Sequence, residues 1–215
     1  MSRFDDDDRY GDVADGWQRL SGIFVISDLR GPACEHVMAL QRRFDPKLAN
    51  SVAPHITLAG SSGVGPIHAD TRVEELRRAL EPIAASTPPL ELKLGRPVRF
   101  MQREIVVLPL DPHGPLRELH ERIRASGLRF HPARHAFTPH VTISFYPELT
   151  RERLRELLAV RVEEPLVIDH IRCSLSHDSQ RPKLILELPL GRGESGVGTG
   201  DWGLGNSPPS RVPDR

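Results

Sequence analysis

One short motif occurs twice in this 215-residue chain, as Pro54-His55-Ile56-Thr57-Leu58 and Pro139-His140-Val141-Thr142-Ile143. Both copies read Pro, His, β-branched residue, Thr, aliphatic residue. With the chain's 10 His and 20 Pro, random order would produce only roughly 0.03 copies of Pro-His-x-Thr, so the repeat is a property of the fold rather than of composition. Period-two alternation puts the His and Thr of each copy on one face of a strand and the aliphatic residues on the other.

The flanks repeat as well. An apolar strand, Gly22-Ile23-Phe24-Val25-Ile26, and a helical stretch from Pro32 to Phe44 precede the first copy. A second apolar strand, Glu104 to Leu110, and a helical stretch from Pro115 to Ala125 precede the second. A further helix follows each motif, over Asp70–Ala84 and Thr150–Val160. The order strand, helix, motif strand, helix therefore occurs twice, which predicts a duplicated lobe. Leu90 to Phe100, Leu166 to Leu175 and Lys183 to Leu188 read as additional strands, with turn composition between the last two suggesting a hairpin. Strands not always separated by helices favour an α+β fold with antiparallel sheets over a doubly wound parallel one.

Composition narrows the classes. Apolar residues make up 38% of the chain, formal net charge is zero and the pI is near 7.2. No global basic field is available to coat a nucleic-acid duplex, so a small or end-specific substrate fits better than duplex DNA. Cys34 and Cys173 read as reduced, buried thiols. The Asp5-Asp6-Asp7-Asp8 tract leaves no room for an apolar leader, and no apolar run reaches membrane-spanning length, so a cytoplasmic protein without membrane association is expected. Residues 1–15 read as a disordered acidic tail, 16–192 as a single bilobal domain and 193–215 as a disordered Gly/Pro/Ser-rich tail that includes Trp202.

The paired motifs resemble those of the 2H phosphoesterase superfamily, which includes the bacterial 2′-5′ RNA ligase and RNA 2′,3′-cyclic phosphodiesterase proteins and is named for two His-x-Thr/Ser motifs, one per lobe. The resemblance covers about Gly16 to Arg192. It implies a pseudo-symmetric fold with two antiparallel sheets lining a central cleft and helices outside. It also implies that His55, Thr57, His140 and Thr142 are catalytic, with His140 as base towards water and His55 as acid to the leaving oxygen. The bacterial cyclic phosphodiesterases tend to carry Ala-Arg after the second motif, the Arg touching phosphate; here Ser144 and Phe145 stand there.

Two imidazoles and two hydroxyls facing one groove suit acid–base chemistry on a phosphate. Histidine serves either proton role because its ordinary pKa lies near 6.5. Hydroxyl donors can meet the non-bridging oxygens. The scheme requires no metal and no cofactor. Arg134, in the loop entering the second motif, is the candidate for the absent arginine contact. Phe145 and Tyr146 are candidates to stack on a base, and Arg103, with Arg99, to rim the cleft. His131 and His135 form at most a weak metal-like tract. The expected function is a metal-independent phosphodiesterase acting on a 2′,3′-cyclic phosphate or 2′-5′ linkage of RNA ends or nucleotides, working as a monomer. The alternatives are 2′-5′ ligation at the same site, or a non-catalytic nucleotide- or RNA-binding module.

Overall fold

The computed structural model describes residues 21–100, 105–133, 135–145, 149–176 and 182–191; both proposed tails, Trp202 included, lie outside them. The first repeat forms β1 (Gly22–Asp28), α1 (Gly31–Phe44), a short α2 (Pro46–Ser51), β2 (His55–Ala59) and α3 (Val73–Ala85). After β3 (Leu90–Leu92) and β4 (Val98–Arg99), the second repeat forms β5 (Val106–Pro109), α4 (Pro115–Arg124), β6 (His140–Ser144) and α5 (Arg151–Ala159). β7 (Leu166–Ile168), β8 (His170–Ser176) and β9 (Lys183–Pro189) complete the described elements.

Local chemistry sets several of these boundaries. Proline stands in the first turn of α1, α2 and α4, where its missing N–H costs nothing. Asp45 caps α2 by accepting from the Leu48 N–H at 2.9 Å, and Thr150 caps α5 by accepting from that of Arg153.

The strands pair antiparallel throughout, in a four-stranded sheet ordered β2-β1-β8-β9, a three-stranded sheet ordered β4-β5-β6 and a two-stranded sheet of β3 and β7. The small third sheet departs from the two-sheet expectation. The stretch read as one strand from Leu90 to Phe100 breaks after Leu92, and the stretch from Leu166 to Leu175 breaks at Asp169. Each break sends one half to β3–β7 and the other to a lobe sheet, a choice made by tertiary partners that periodicity does not see. The pair β8–β9 returns to the first lobe's sheet.

The duplication is visible in the backbone. In β1 the register slips between Val25 and Ile26, opposite Ala59 and Thr57; in β5 it slips between Val106 and Val107, opposite Ser144 and Thr142. Bulges of this kind re-aim side chains beside functional sites. Each motif proline accepts one bond: Leu29 N–H donates to Pro54 O at 2.9 Å, and Leu110 N–H to Pro139 O at 3.0 Å.

Val25, Ile56, Leu58, Ile171 and Cys173 of one sheet share a single core cluster with Val106, Leu108, Val141 and Ile143 of the other. The cysteines are free thiols; burial pushes that of Cys173 up to about 12.

Candidate active site

β2 and β6 are edge strands of different sheets, and they lie against each other. Their aliphatic positions Ile56, Leu58, Val141 and Ile143 are fully buried, while His55, Thr57, His140 and Thr142 are half-buried on the opposite faces. The four residues singled out by the motif thus occupy equivalent positions on two touching strands.

A helix from the other repeat holds each strand. Gln41 of α1 donates from Nε2 to the Thr142 carbonyl at 2.9 Å, and His120 of α4 donates from Nδ1 to the Leu58 carbonyl at 2.6 Å. Gln41 and His120 are 2% and 1% exposed, so both bonds are made away from water. Asp45 adds a third tie, accepting from the Phe145 N–H at 2.7 Å. The loops flanking the motifs pair with each other: Gly63 N–H donates to His135 O, Gly65 N–H to His131 O and Thr138 N–H to Ser62 Oγ.

Both candidate imidazoles are anchored alike. His55 Nδ1 is 2.8 Å from Ala53 O, and His140 Nδ1 is 2.7 Å from Thr138 O. A carbonyl oxygen only accepts, so each Nδ1 carries the proton and each Nε2 is left to meet a ligand. Burial pushes His55 below the ordinary imidazole value; the Ala53 carbonyl and the Asp28 carboxylate oppose that shift, and Arg172 adds to it. His140 is lowered by burial and by the charge of His55, against the Thr138 carbonyl. Two imidazoles near enough to feel each other's charge favour one shared proton over two, and one protonated ring beside one neutral ring is an acid and a base.

The secondary candidates divide. Arg103, Arg134 and Tyr146 lie outside the described residues. Phe145 directly follows β6, half-buried, with its N–H on Asp45. Arg99 is exposed on β4. His131 stacks on His68, with ring centroids 4.1 Å apart, at the seam between the two loops. Among the described residues no group of three or more His, Cys, Asp or Glu is placed to hold a metal ion, and no helix is long and apolar enough to cross a membrane.

Three neighbours escaped sequence reasoning. The Phe100 ring lies 4.9 Å from that of His140. Asp28 stands opposite His55 on β1, and Arg172 of β8 pairs with it at 2.6 Å. None sits in a motif; cross-strand register brings Asp28 and Arg172 to the site, and register is not written locally. A crevice of about 460 Å³ lined by Arg30, Asp169, His170, Glu187, Pro189 and Leu190 opens further along the four-stranded sheet. Arg30 ties its carboxylates together, bonding Asp169 and Glu187.

Comparison with known proteins bears on the family and the fold. The family model of the 2′-5′ RNA ligase superfamily matches residues 29–179. A protein of Geobacillus kaustophilus, provisionally named a phosphoesterase, is 33% identical over 105 residues, which are 48% of this chain and 57% of that relative. A Geobacillus thermodenitrificans protein, provisionally named likewise, matches to the same extent. The chain thus spans little more than half the length of these relatives. Among solved structures, a Thermus thermophilus protein, TT0787, aligns with a TM-score of 0.57 at 17% identity, covering 80% of this chain and 98% of that one. E. coli LigT complexed with 3′-AMP aligns with a TM-score of 0.52 at 16% identity, covering 79% and 98%. At such identities the likeness is one of fold.

Proposed function

Because the chain belongs to the 2′-5′ RNA ligase superfamily, a group of 2H phosphoesterases, we propose that it is a metal-independent phosphodiesterase that hydrolyses a 2′,3′-cyclic phosphate or 2′-5′ phosphodiester of an RNA end or nucleotide. The observation that carries this reading is the matched pair of histidines, each fixed through Nδ1 to the carbonyl two residues upstream, on two edge strands that lie against each other. A nucleotide-sized substrate is supported by E. coli LigT, a fold neighbour whose structures hold 3′-AMP and NADP+.

In the proposed reaction His140 Nε2 takes a proton from water as the water oxygen bonds to phosphorus. The bond from phosphorus to one ribose oxygen breaks, and His55 gives its Nε2 proton to that oxygen. The hydroxyls of Thr57 and Thr142 donate to the non-bridging oxygens as charge builds on them. His140 ends protonated and His55 neutral, and exchange with solvent restores the pair. Both proton transfers and the charge stabilisation come from side chains, which is the ground for proposing metal independence.

The test is turnover of 2′,3′-cyclic nucleotides before and after exhaustive EDTA treatment. Hydrolysis to a single phosphomonoester at an unchanged rate is expected. Activity that disappears on chelation and returns with one divalent ion would overturn the mechanism.

A further inference from the structure

The two lobes repeat each other in backbone but not in charge. In the first lobe β1 places Asp28 directly opposite His55; in the second, β5 places Pro109 directly opposite His140. The next row of the first lobe runs Thr57, Ile26, Arg172 across β2, β1 and β8. Its counterpart runs Thr142, Val107, Val98 across β6, β5 and β4. A carboxylate and a guanidinium in one lobe therefore correspond to a proline ring and an isopropyl group in the other. The same bulge precedes both rows, so the correspondence is one of register and not of rough position.

Asp28 Oδ2 and Arg172 Nη1 are 2.6 Å apart, with side chains 17% and 22% exposed. Asp28 Oδ1 and Arg172 Nε are buried with no hydrogen-bond partner, so no further hydrogen bond is seen to dilute the pair at those atoms. Directly opposite residues in an antiparallel ladder have Cβ atoms about 5 Å apart, which sets the carboxylate beside the His55 ring. The guanidinium comes from one strand further away.

We infer that Asp28 is a positioning residue that makes His55 the proton donor of the histidine pair, while Arg172 holds the carboxylate in place and limits its pull. This inference rests on the acid–base reading proposed above. In a symmetric pair nothing decides which ring keeps the shared proton; a fixed negative charge beside one ring does. The charged groups bearing on His55 are Asp28 from β1 and Arg172 from β8, and His55 in turn bears on His140 of β6. On the far side of Arg172, Glu187 of β9 stands opposite it in register. Asp28 favours a proton on His55, and a protonated His55 disfavours one on His140. The donor and acceptor roles implied by family resemblance thus acquire a physical cause in this chain.

The test is an NMR titration of the His55 ring, assigned with His55→Gln, in the full chain. An opposite charge at this range shifts a histidine by about one pH unit or more. Asp28→Asn is therefore expected to lower the His55 midpoint by about one unit, a tenfold loss of proton affinity. Arg172→Gln is expected to raise it, and Asp28→Glu to leave it near the parent value. In kcat/KM profiles Asp28→Asn and Arg172→Gln should move the limb set by the donor in opposite directions. A merely structural Asp28 would lower activity at every pH and move neither midpoint nor limb. An unmoved His55 midpoint in Asp28→Asn, or shifts of the same sign in both variants, overturns the inference. If Asp28→Asn does not fold by circular dichroism, the upward shift in Arg172→Gln decides. Shifts of the expected sign in a protein inactive on cyclic nucleotides would refute the proposed substrate and leave the order of the two protons standing.

Discussion

At the residue scale, function is proposed to rest on four side chains, and the motif prolines help explain why they are well placed. A proline at the head of each strand needs no N–H partner, and its carbonyl ties the strand to its neighbour. The following histidine then turns back to bond the carbonyl two residues upstream. Replacing His55 or His140 by Ala should lower turnover by about 10² or more. The double variant should lose much less than the product, since the two act as a unit. Thr57→Ala or Thr142→Ala should cost less than either, because each removes one hydrogen bond of several to the phosphate. Steady-state rates on a 2′,3′-cyclic nucleotide, with folding checked by circular dichroism, decide this; full activity in folded His140→Ala would refute the assignment. Both histidines are held below the ordinary imidazole value. The bell in kcat/KM for the free enzyme should therefore centre on the acid side of about pH 6.5, and a profile centred well above it would contradict the burial of the pair.

At the element scale, the loop after β2 has to pass under α4 to reach its partner loop, and Gly63 makes this possible. Its φ is +74°, in the left-handed region that favours glycine. A Cβ there would stand 2.3 Å from His120 Nε2 and 2.9 Å from Phe137 Cβ. These two rings are themselves stacked, with centroids 3.8 Å apart, and have little room to yield. Gly63→Ala should therefore lose about 2 kcal/mol or more of stability from backbone strain and overpacking together, read as a lower urea midpoint. An unchanged midpoint would show that the loop has slack. Gly60-Ser61-Ser62-Gly63 is loop-like in composition alone; only the packed helix above it explains why position 63 in particular has to be glycine.

On the scale of the whole molecule the lobes are crossed rather than merely adjacent. The helix that precedes the first motif is bonded to the second motif strand, and the helix that precedes the second is bonded to the first. Among the described residues β8 and β9 return to the first lobe's sheet, so that sheet draws strands from both sides of the second repeat in sequence. His55, His120 and His140 are all lowered chiefly by burial. A group depressed in this way takes up its proton less readily folded than unfolded. Its stabilising effect is present above the unfolded value near about 6.5 and is lost as pH falls through the folded value. Chemical denaturation should thus show a lower midpoint at about pH 5 than at about pH 7.5, with the decline beginning near about 6.5. His120→Gln, which can keep a donor for the Leu58 carbonyl, should flatten this dependence; an equally steep decline would place the cause elsewhere.

Local sequence determined a good deal of this protein. The spacing of apolar residues, the prolines at helix starts and the doubled motif define the repeated strand–helix order, because these signals act over a few residues and recur at fixed offsets. They also single out His55, Thr57, His140 and Thr142 and predict their shared faces. What tertiary structure alone decided is which strands become neighbours. It split Leu166–Leu175 between two sheets at Asp169, exchanged the helices between the lobes, set Phe100 against His140, and laid Asp28 and Arg172 beside His55. Each depends on long-range contacts, and the placing of Asp28 and Arg172 on strand register, in which a slip of one residue moves every side chain to the other face. That is why the residues inferred to distinguish the two histidines carry no signature in the chain around them.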